Sequence, residues 1–185
     1  MPILLETDRL LVRPWTTDDV EAAFAILGDP EVTRYLGDTG DAFADRDRIH
    51  GWLERIVART AEWNPYGSWA VVENATGDII GGGGLFQLEG GPDVEVFYHF
   101  RQISWGYGYA TELARALIAY AFASTDLPRV IGVAFPANTA SHRVLTKAGM
   151  THLGQRHAYG ADLEYFTIDR PTFPARKQPD LNLED

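Results

Sequence analysis

Hydrophobic residues recur at three- and four-residue intervals in four parts of the chain. The clearest case follows the acidic start at residues 16–19, and it comprises Val20, Ala23, Phe24 and Leu27. This spacing predicts a helix that ends at Gly28-Asp29-Pro30. The same pattern predicts helices over 42–63, 108–124 and 138–148.

Short apolar or alternating runs bounded by turn residues predict seven strands, over 9–14, 68–73, 79–88, 93–100, 129–135, 151–157 and 163–168. The three strands between residues 68 and 100 follow one another through short turns, which indicates an antiparallel meander. We therefore predict an α/β fold of the α+β kind, with a mostly antiparallel mixed sheet of about seven strands flanked by about four helices. One domain is expected over residues 1–170, followed by a loose C-terminal tail over 171–185.

Four consecutive glycines, Gly81 to Gly84, lie inside the strand predicted over 79–88. Glycine contributes no side chain to the packing of a strand. The run indicates either close approach of another segment or a ligand, or a β-bulge.

Composition narrows the function classes. The 185 residues are 45% hydrophobic and 12% aromatic, which is enough for a substantial core and excludes disorder of the whole chain. The chain has no cysteine, so disulfides, thiolate metal sites and a cysteine nucleophile are excluded. The five histidines show no paired metal-ligand spacing, and no metal site is expected.

Charge and hydropathy bear on partners and location. The formal net charge of −10 disfavours nucleic acids and suits a cationic amine, although it also has the simpler interpretation of a solubilising surface. No apolar stretch approaches the roughly 20 residues that a membrane helix needs. The N-terminus lacks the order of a secretory signal. We expect a cytoplasmic protein that binds no membrane.

The segment from Trp105 to Glu112 lies between a predicted strand and a predicted helix. The first amides of a helix have no intrahelical partners and attract anions. Gly106 and Gly108 would let the backbone approach a phosphate closely. A Gly-x-Gly loop alone is equally compatible with an ordinary turn. No Gly-Lys-Ser or Gly-Lys-Thr is present, and Thr111 occupies the place of a third glycine, so the P-loop and dinucleotide-binding loops are disfavoured.

Four segments resemble the GNAT superfamily of N-acetyltransferases, most closely its branch of ribosomal-protein N-terminal acetyltransferases. They occur in family order, and the resemblance extends from about residue 5 to residue 170. They are Thr7 to Pro14, Val94 to Tyr98 with Trp105 to Glu112, Asn138 to Ser141, and Lys147 to Met150. Phe97, His99 and Met150 replace the glycine, tryptophan and phenylalanine that are usual there, and the changes affect the substrate side.

The resemblance implies that acetyl-CoA is bound in a V-shaped opening between the strands at 94–100 and 129–135. It implies that backbone groups of His99, Phe100 and Arg101 pair with the pantetheine arm, and that an amide near His99 or Phe100 polarises the thioester carbonyl. The remaining implied cofactor contacts are the pyrophosphate loop and two residues of the late helix, namely Trp105, Gly106, Tyr107, Gly108, Tyr109, Ala110, Thr111, Asn138 and Ser141.

Catalytic and acceptor residues follow from the same resemblance, each beside a simpler interpretation. Glu95 is the expected general base or an ordinary polar strand residue, and Ser141 the expected acid for the leaving thiolate. Asn138 is equally suited to capping its helix. Trp15, Tyr35 and Phe86 line the expected acceptor pocket or belong to the core.

The implied function is acetyl-CoA-dependent N-acetylation of a primary amine, on a protein N-terminus or a small molecule. The amine attacks the thioester directly in a ternary complex. The sequence leaves open a non-catalytic acyl-CoA sensor and an interaction protein that uses the fold as a scaffold. It also leaves open a homodimer.

Overall fold

The computed structural model describes residues 3–36, 42–89 and 91–170, so the predicted tail at 171–185 lies outside the described residues. The strands are β1 Leu5–Glu6, β2 Leu10–Pro14, β3 Gly67–Glu73, β4 Ile79–Gln87, β5 Val94–Phe100, β6 Arg129–Ala134, β7 Thr151–Ala158 and β8 Ala161–Asp169. The α-helices are α1 Val20–Leu27, α2 Pro30–Thr33, α3 Arg46–Glu62, α4 Tyr109–Ser124 and α5 Thr139–Lys147. Two short 3-10 helices cover Thr17–Asp19 and Gln102–Ser104.

One sheet contains the eight described strands in the order β1-β2-β3-β4-β5-β6-β8-β7. Each neighbouring pair is antiparallel except β5 and β6, which are parallel. The predicted mixed α/β fold is confirmed, with one more strand and one more helix than expected.

The additional elements are short, and this is why the sequence pattern missed them. β1 has two residues and pairs with β2 through Leu5 and Val12. α2 is a single turn in which the Asp29 carboxylate accepts the Glu31 amide at 2.9 Å and Pro30 occupies the first helical position. The segment Gly28-Asp29-Pro30 therefore both ends α1 and begins α2.

Helix α3 begins later than predicted, at Arg46 instead of Ala42. The Asp45 carboxylate accepts the Arg48 amide at 2.9 Å and so caps the helix. The local cap, rather than the upstream hydrophobic residues, fixes the boundary.

Helices cover both faces of the sheet, and successive strand residues point to opposite faces. Helix α4 packs on one face, where Leu113 and Leu117 join Val96 and Phe100 in the largest buried cluster. Helices α1 and α3 pack on the other face through residues such as Ile26 and Leu53, and Trp15, which follows β2, belongs to the same buried cluster.

The glycine run in β4 is explained by what lies against it on both faces. A Cβ at Gly82 would lie 2.7 Å from Nε2 of His99, and a Cβ at Gly83 would lie 2.8 Å from Cδ2 of Leu113. Close approach of other segments is therefore confirmed. The register between β3 and β4 also shifts between Val71 and Val72, so an irregularity accompanies the glycines.

Candidate active site

The sheet opens between β5 and β6. Among the described residues these two strands share one registered pair, Glu95 with Ile131. A cavity of about 560 Å³ lies at this divergence and reaches the start of α4 and one side of α5. Its lining includes these predicted site residues: Tyr35, Glu95, His99, Phe100, Trp105, Gly106, Gly108, Tyr109, Ala110, Thr111, Asn138 and Ser141. The volume is in the range of small-molecule and cofactor sites.

The loop before α4 has the backbone conformation of an anion site. Gly106 and Gly108 have φ angles of 84° and 85°, in the left-handed region that favours glycine. The Thr111 and Glu112 amides both donate to the Gly108 carbonyl at 3.1 Å. Because hydrogen bonding within the helix begins there, the Tyr109 and Ala110 amides have no carbonyl ahead of them in the helix. They lie at the positive end of the helix dipole.

Arg9, just before β2, fixes this loop from outside the cavity. Its Nε donates to Glu112 Oε2 at 2.7 Å, and its Nη1 donates to the Tyr107 carbonyl at 2.9 Å. Thr7 donates to the other Glu112 oxygen at 2.6 Å. In the sequence these residues stand out only as parts of two segments that resemble the family. The contacts give them a role, which is to hold the loop and the first turn of α4 together.

The register of β5 decides which backbone groups face the opening. The Arg101 amide donates to the Ile80 carbonyl of β4 at 3.0 Å. Hydrogen-bonding direction alternates along a strand, so His99 also pairs with β4, whereas Tyr98 and Phe100 present their amides to the opening. The backbones of Arg101 and His99 are thus paired within the sheet, and of the three predicted residues Phe100 has its amide directed to the opening. Contact of these residues with a pantetheine arm stays a prediction.

Two other predicted cofactor residues have contacts that differ from expectation. Tyr107 is 64% exposed and is not among the described residues that line the cavity. Its ring stacks on Tyr109. Trp105 lines the cavity, and its Nε1 donates to the Phe100 carbonyl at 2.7 Å, which connects the loop to the end of β5.

Glu95 is the buried carboxyl of the cavity, with only 7% of its surface exposed. Burial raises its pKa to about 7, while a hydrogen bond donated by the Tyr159 hydroxyl lowers the pKa in part. A carboxyl with this pKa exchanges protons near neutrality. Sequence reasoning missed Tyr159, because the contact spans 64 residues.

His99 lies on the same face of β5 as Glu95. Burial lowers the pKa of His99 to about 4, so the ring is neutral at physiological pH. Its Nε2 and the Trp15 Nε1 are both buried without a hydrogen-bond partner among the described residues. Trp15 does not belong to the described cavity lining; it packs against Trp52 with ring centroids 5.9 Å apart.

The start of α5 forms the opposite wall. The Asn138 side chain accepts the Ser141 amide at 3.1 Å, which confirms its capping role, and both residues line the cavity. The Tyr98 hydroxyl donates to the Ser141 carbonyl at 3.4 Å across the opening. Burial raises the pKa of Tyr98, so this hydroxyl keeps its proton. Tyr98 was not singled out from the sequence, although it lies inside a quoted segment.

The predicted acceptor aromatics separate into two groups. Tyr35 lines the cavity and lies 6.1 Å from Phe135 between ring centroids. Phe86 does not line it among the described residues, because it stacks behind Phe97 at 4.9 Å. Phe97 takes its place in the lining.

The described residues contain neither a cluster of metal ligands nor a membrane-spanning helix. Residues 3–36, 42–89 and 91–170 contain no group of three or more histidine, aspartate and glutamate side chains placed to hold a metal ion. Within the same ranges no helix has the length and hydropathy needed to cross a membrane.

Comparison with known proteins agrees with this geometry. The profile of the acetyltransferase (GNAT) domain family matches residues 9–151, most of the chain. The chain belongs to the GNAT acetyltransferase family. This GNAT acetyltransferase is also similar to the uncharacterized N-acetyltransferase YoaA of Bacillus subtilis, at 31% identity in an alignment of 159 residues that covers 84% of this chain and 87% of YoaA.

Solved structures share the fold of this GNAT acetyltransferase at lower identity. The structure of AAC(6')-Ib in complex with ribostamycin and coenzyme A gives a TM-score of 0.75 at 18% identity, covering 92% of this chain and 98% of that one. The ribosomal-protein-S5-alanine acetyltransferase of Vibrio fischeri gives 0.73 at 19% identity, covering 89% and 94%. At these identities the likeness shows the fold, and the superfamily is established rather than the ribosomal branch.

Proposed function

We propose that this GNAT acetyltransferase transfers the acetyl group of acetyl-CoA to a primary amine by direct attack in a ternary complex. The observation that supports this best is the continuity of one cavity. It begins at the open amides of α4, passes between β5 and β6, and ends at the buried carboxyl of Glu95.

The residues present fit coenzyme A. The Tyr109 and Ala110 amides and the two left-handed glycines suit a diphosphate. The Phe100 amide faces the opening like an unpaired edge of the sheet and suits the amides of a pantetheine arm. Three cations also line the cavity in an otherwise acidic chain, namely Arg34, Arg143 and Lys147.

Acetyl-CoA supplies a thioester whose carbonyl carbon is open to attack by a neutral amine. We assign Glu95 as the general base that removes a proton from the amine, because it is buried in the cavity and has a pKa of about 7. A base with a pKa near the working pH is the most effective. The Tyr98 amide, which also faces the opening and lies nearer to Glu95, is the donor that we assign to the thioester oxygen.

Two hydroxyls lie at the opposite wall for the leaving thiolate. Ser141 lines the cavity beside the Asn138 cap, and Tyr98 reaches the same helix end. We propose Ser141 as the proton donor, because the Tyr98 hydroxyl is already donated to the Ser141 carbonyl.

The acceptor side combines carboxylates with aromatic rings. Glu31, Glu95, Tyr35 and Phe97 line the cavity there. This combination attracts a protonated amine and packs against its apolar part. AAC(6')-Ib was solved with an aminoglycoside and the Vibrio fischeri protein is named for a protein substrate. We propose a cationic amine of either kind as the acceptor.

The direct test mixes the purified protein with acetyl-CoA and a panel of amines, both peptide N-termini and small polyamines, and measures released thiol. The chain has no cysteine, so the protein itself adds no thiol background. We expect acceptor-dependent CoA release, lowered about 10²- to 10⁴-fold in Glu95→Gln with unchanged CoA affinity.

Glu54→Gln, on the exposed surface of α3, is the matched control and should behave as wild type. Full turnover by Glu95→Gln would contradict the assignment of the base. Tight CoA binding without turnover on any amine would favour an acyl-CoA sensor instead.

A further inference from the structure

The turn between β7 and β8 has an unusual residue at its tip. Ala158 pairs with Ala161, so Tyr159 and Gly160 alone form the turn. Their φ angles are 54° and 72°. Two-residue turns with both φ angles positive favour asparagine or aspartate followed by glycine. Tyr159 is the only residue other than glycine with positive φ among the described residues.

Specific contacts hold Tyr159 in this conformation. Its amide donates to Glu89 Oε2 at 2.8 Å, and its hydroxyl donates to Glu95 Oε1. The turn rests on a small buried cluster of Leu88, Ile131, Ala158 and Leu163. Ile131 is the registered partner of Glu95, so the turn lies over the point where β5 and β6 separate.

Tyr159 is 44% exposed, so hydrophobic burial does not account for a tyrosine at this position. A bulky residue kept in an unfavourable conformation by its surroundings is a common feature of functional sites. The one contact that requires tyrosine, rather than a better turn residue, is the hydroxyl on Glu95.

We infer that Tyr159 is a positioning residue, whose hydroxyl fixes the Glu95 carboxylate in the cavity and keeps it ionisable at neutral pH. This inference rests on the proposed role of Glu95 as the general base.

Other titratable and charged groups lie around Glu95, but Tyr159 is the one that hydrogen bonds to its side chain in the described part of the chain. Along the same strand lies His99, and the cavity lining also includes Glu31 of α2 and Arg34 directly after that helix. Glu89 lies on the far side of Tyr159. Tyr165 of β8 is followed by the Arg156–Asp93 ion pair. His99 is held neutral by burial and so adds no charge above about pH 5.

The direction of the effect follows from the two causes that act on Glu95. Burial raises its pKa, and the hydrogen bond from Tyr159 opposes that rise by stabilising the carboxylate. Without the hydroxyl the pKa of Glu95 rises further. Less of the base is then ionised at neutral pH, and the acid limb of the rate profile moves to higher pH.

The experiment compares kcat/KM of wild type and Tyr159→Phe between pH 5.5 and 9 with one active amine. We expect the acid limb of the variant to move up by about one pH unit, the effect of one hydrogen bond to a carboxylate. At low pH the variant should be about tenfold slower, and near pH 9 the two rates should converge. The KM for acetyl-CoA should stay unchanged.

Tyr159→Asn is the second variant, because asparagine suits the turn but has no hydroxyl that reaches Glu95. It should fold at least as stably as wild type and show the same displaced profile. A uniform loss of rate at every pH, or superimposable profiles, would overturn the inference while leaving the acetyltransferase assignment intact. An inactive wild type on all amines would instead contradict the proposed function.

Discussion

Glu95 is a carboxyl at a buried position, where its charged form is unfavourable in free energy. It is buried at the apex of the opening, with a tyrosine hydroxyl as its hydrogen-bond donor. Burial alone disfavours the charged form and explains why the pKa rises to about 7. The same shift that suits a base at neutral pH must also appear in the stability of the protein.

Glu95→Gln should therefore change stability in a pH-dependent way. The folded-state pKa of Glu95 is higher than its unfolded value, so its protonation stabilises the fold below about pH 4.5, and that contribution is lost as the pH rises to about 7. Relative to wild type, the glutamine variant should gain about 3 kcal/mol of unfolding free energy between pH 4.5 and 7.5.

Chemical denaturation of both proteins at several pH values measures this difference. Groups that titrate equally in the two proteins cancel in the comparison. A difference that stays constant with pH would show that the pKa of Glu95 is not raised in the folded protein.

Among single residues, the sequence predicted the lining of the cavity better than it predicted side-chain contacts. The family resemblance implied Glu95, Phe100 and Asn138 as site residues, and all three line the cavity. Their roles stay predictions. Tyr159 and Arg9 were not assigned, because their roles depend on partners 64 and 103 residues away. Pairings at that separation leave no local pattern.

Helix α4 begins directly after a glycine N-cap, Gly108. Gly108 caps it in a left-handed conformation, and a Cβ there would meet only Arg9 Nη2, at 3.6 Å. Packing thus does not require glycine at this position, whereas the backbone conformation favours it. The conformation is what directs the open amides of α4 toward the cavity.

Gly108→Val should abolish measurable CoA binding, because a β-branched residue strains this conformation and reorients the Tyr109 amide. The matched control is Gly77→Val, since Gly77 has a φ of 75° with open space around it and lies in the β3–β4 turn. Calorimetric titration with CoA measures the effect.

Both variants should lose similar stability, and the control should keep wild-type affinity. Equal affinity in Gly108→Val and in the control would contradict the assignment of this loop to the diphosphate.

Long periodic elements were predicted from sequence and short ones were not. Helix α4 was predicted within one residue, since Leu113 and Leu117 repeat at helical spacing and are buried as expected. α2 and β1 lack enough residues to show any period. Helix α3 was predicted as an element, but its start was placed at residue 42. The Asp45 cap makes it begin at Arg46.

The N-terminal segment and the middle of the chain meet at the loop before α4. Arg9 and Thr7 both contact Glu112 across more than one hundred residues of sequence. The Arg9 guanidinium also lies 4.7 Å from the centroid of the Tyr109 ring. The geometry of the loop therefore depends on the whole domain being folded.

Arg9→Met should weaken CoA binding about three- to tenfold, because it releases Glu112 and the Tyr107 carbonyl while keeping a similar apolar stem. Arg46→Met is the control, since Arg46 forms a comparable two-point ion pair with Glu21 away from the cavity. Titration calorimetry compares the two, and equal effects would contradict a role of Arg9 in the loop.

The parallel step between β5 and β6 has a thermodynamic consequence for the whole molecule. Among the described residues β5 and β6 share one registered pair, Glu95 with Ile131, so the sheet has two antiparallel parts joined at that pair. In the complex that we propose, the pantetheine arm pairs with the free edge of β5 and acts as a removable ninth strand. We therefore expect the two parts of the sheet to move together more rigidly as the concentration of acetyl-CoA rises.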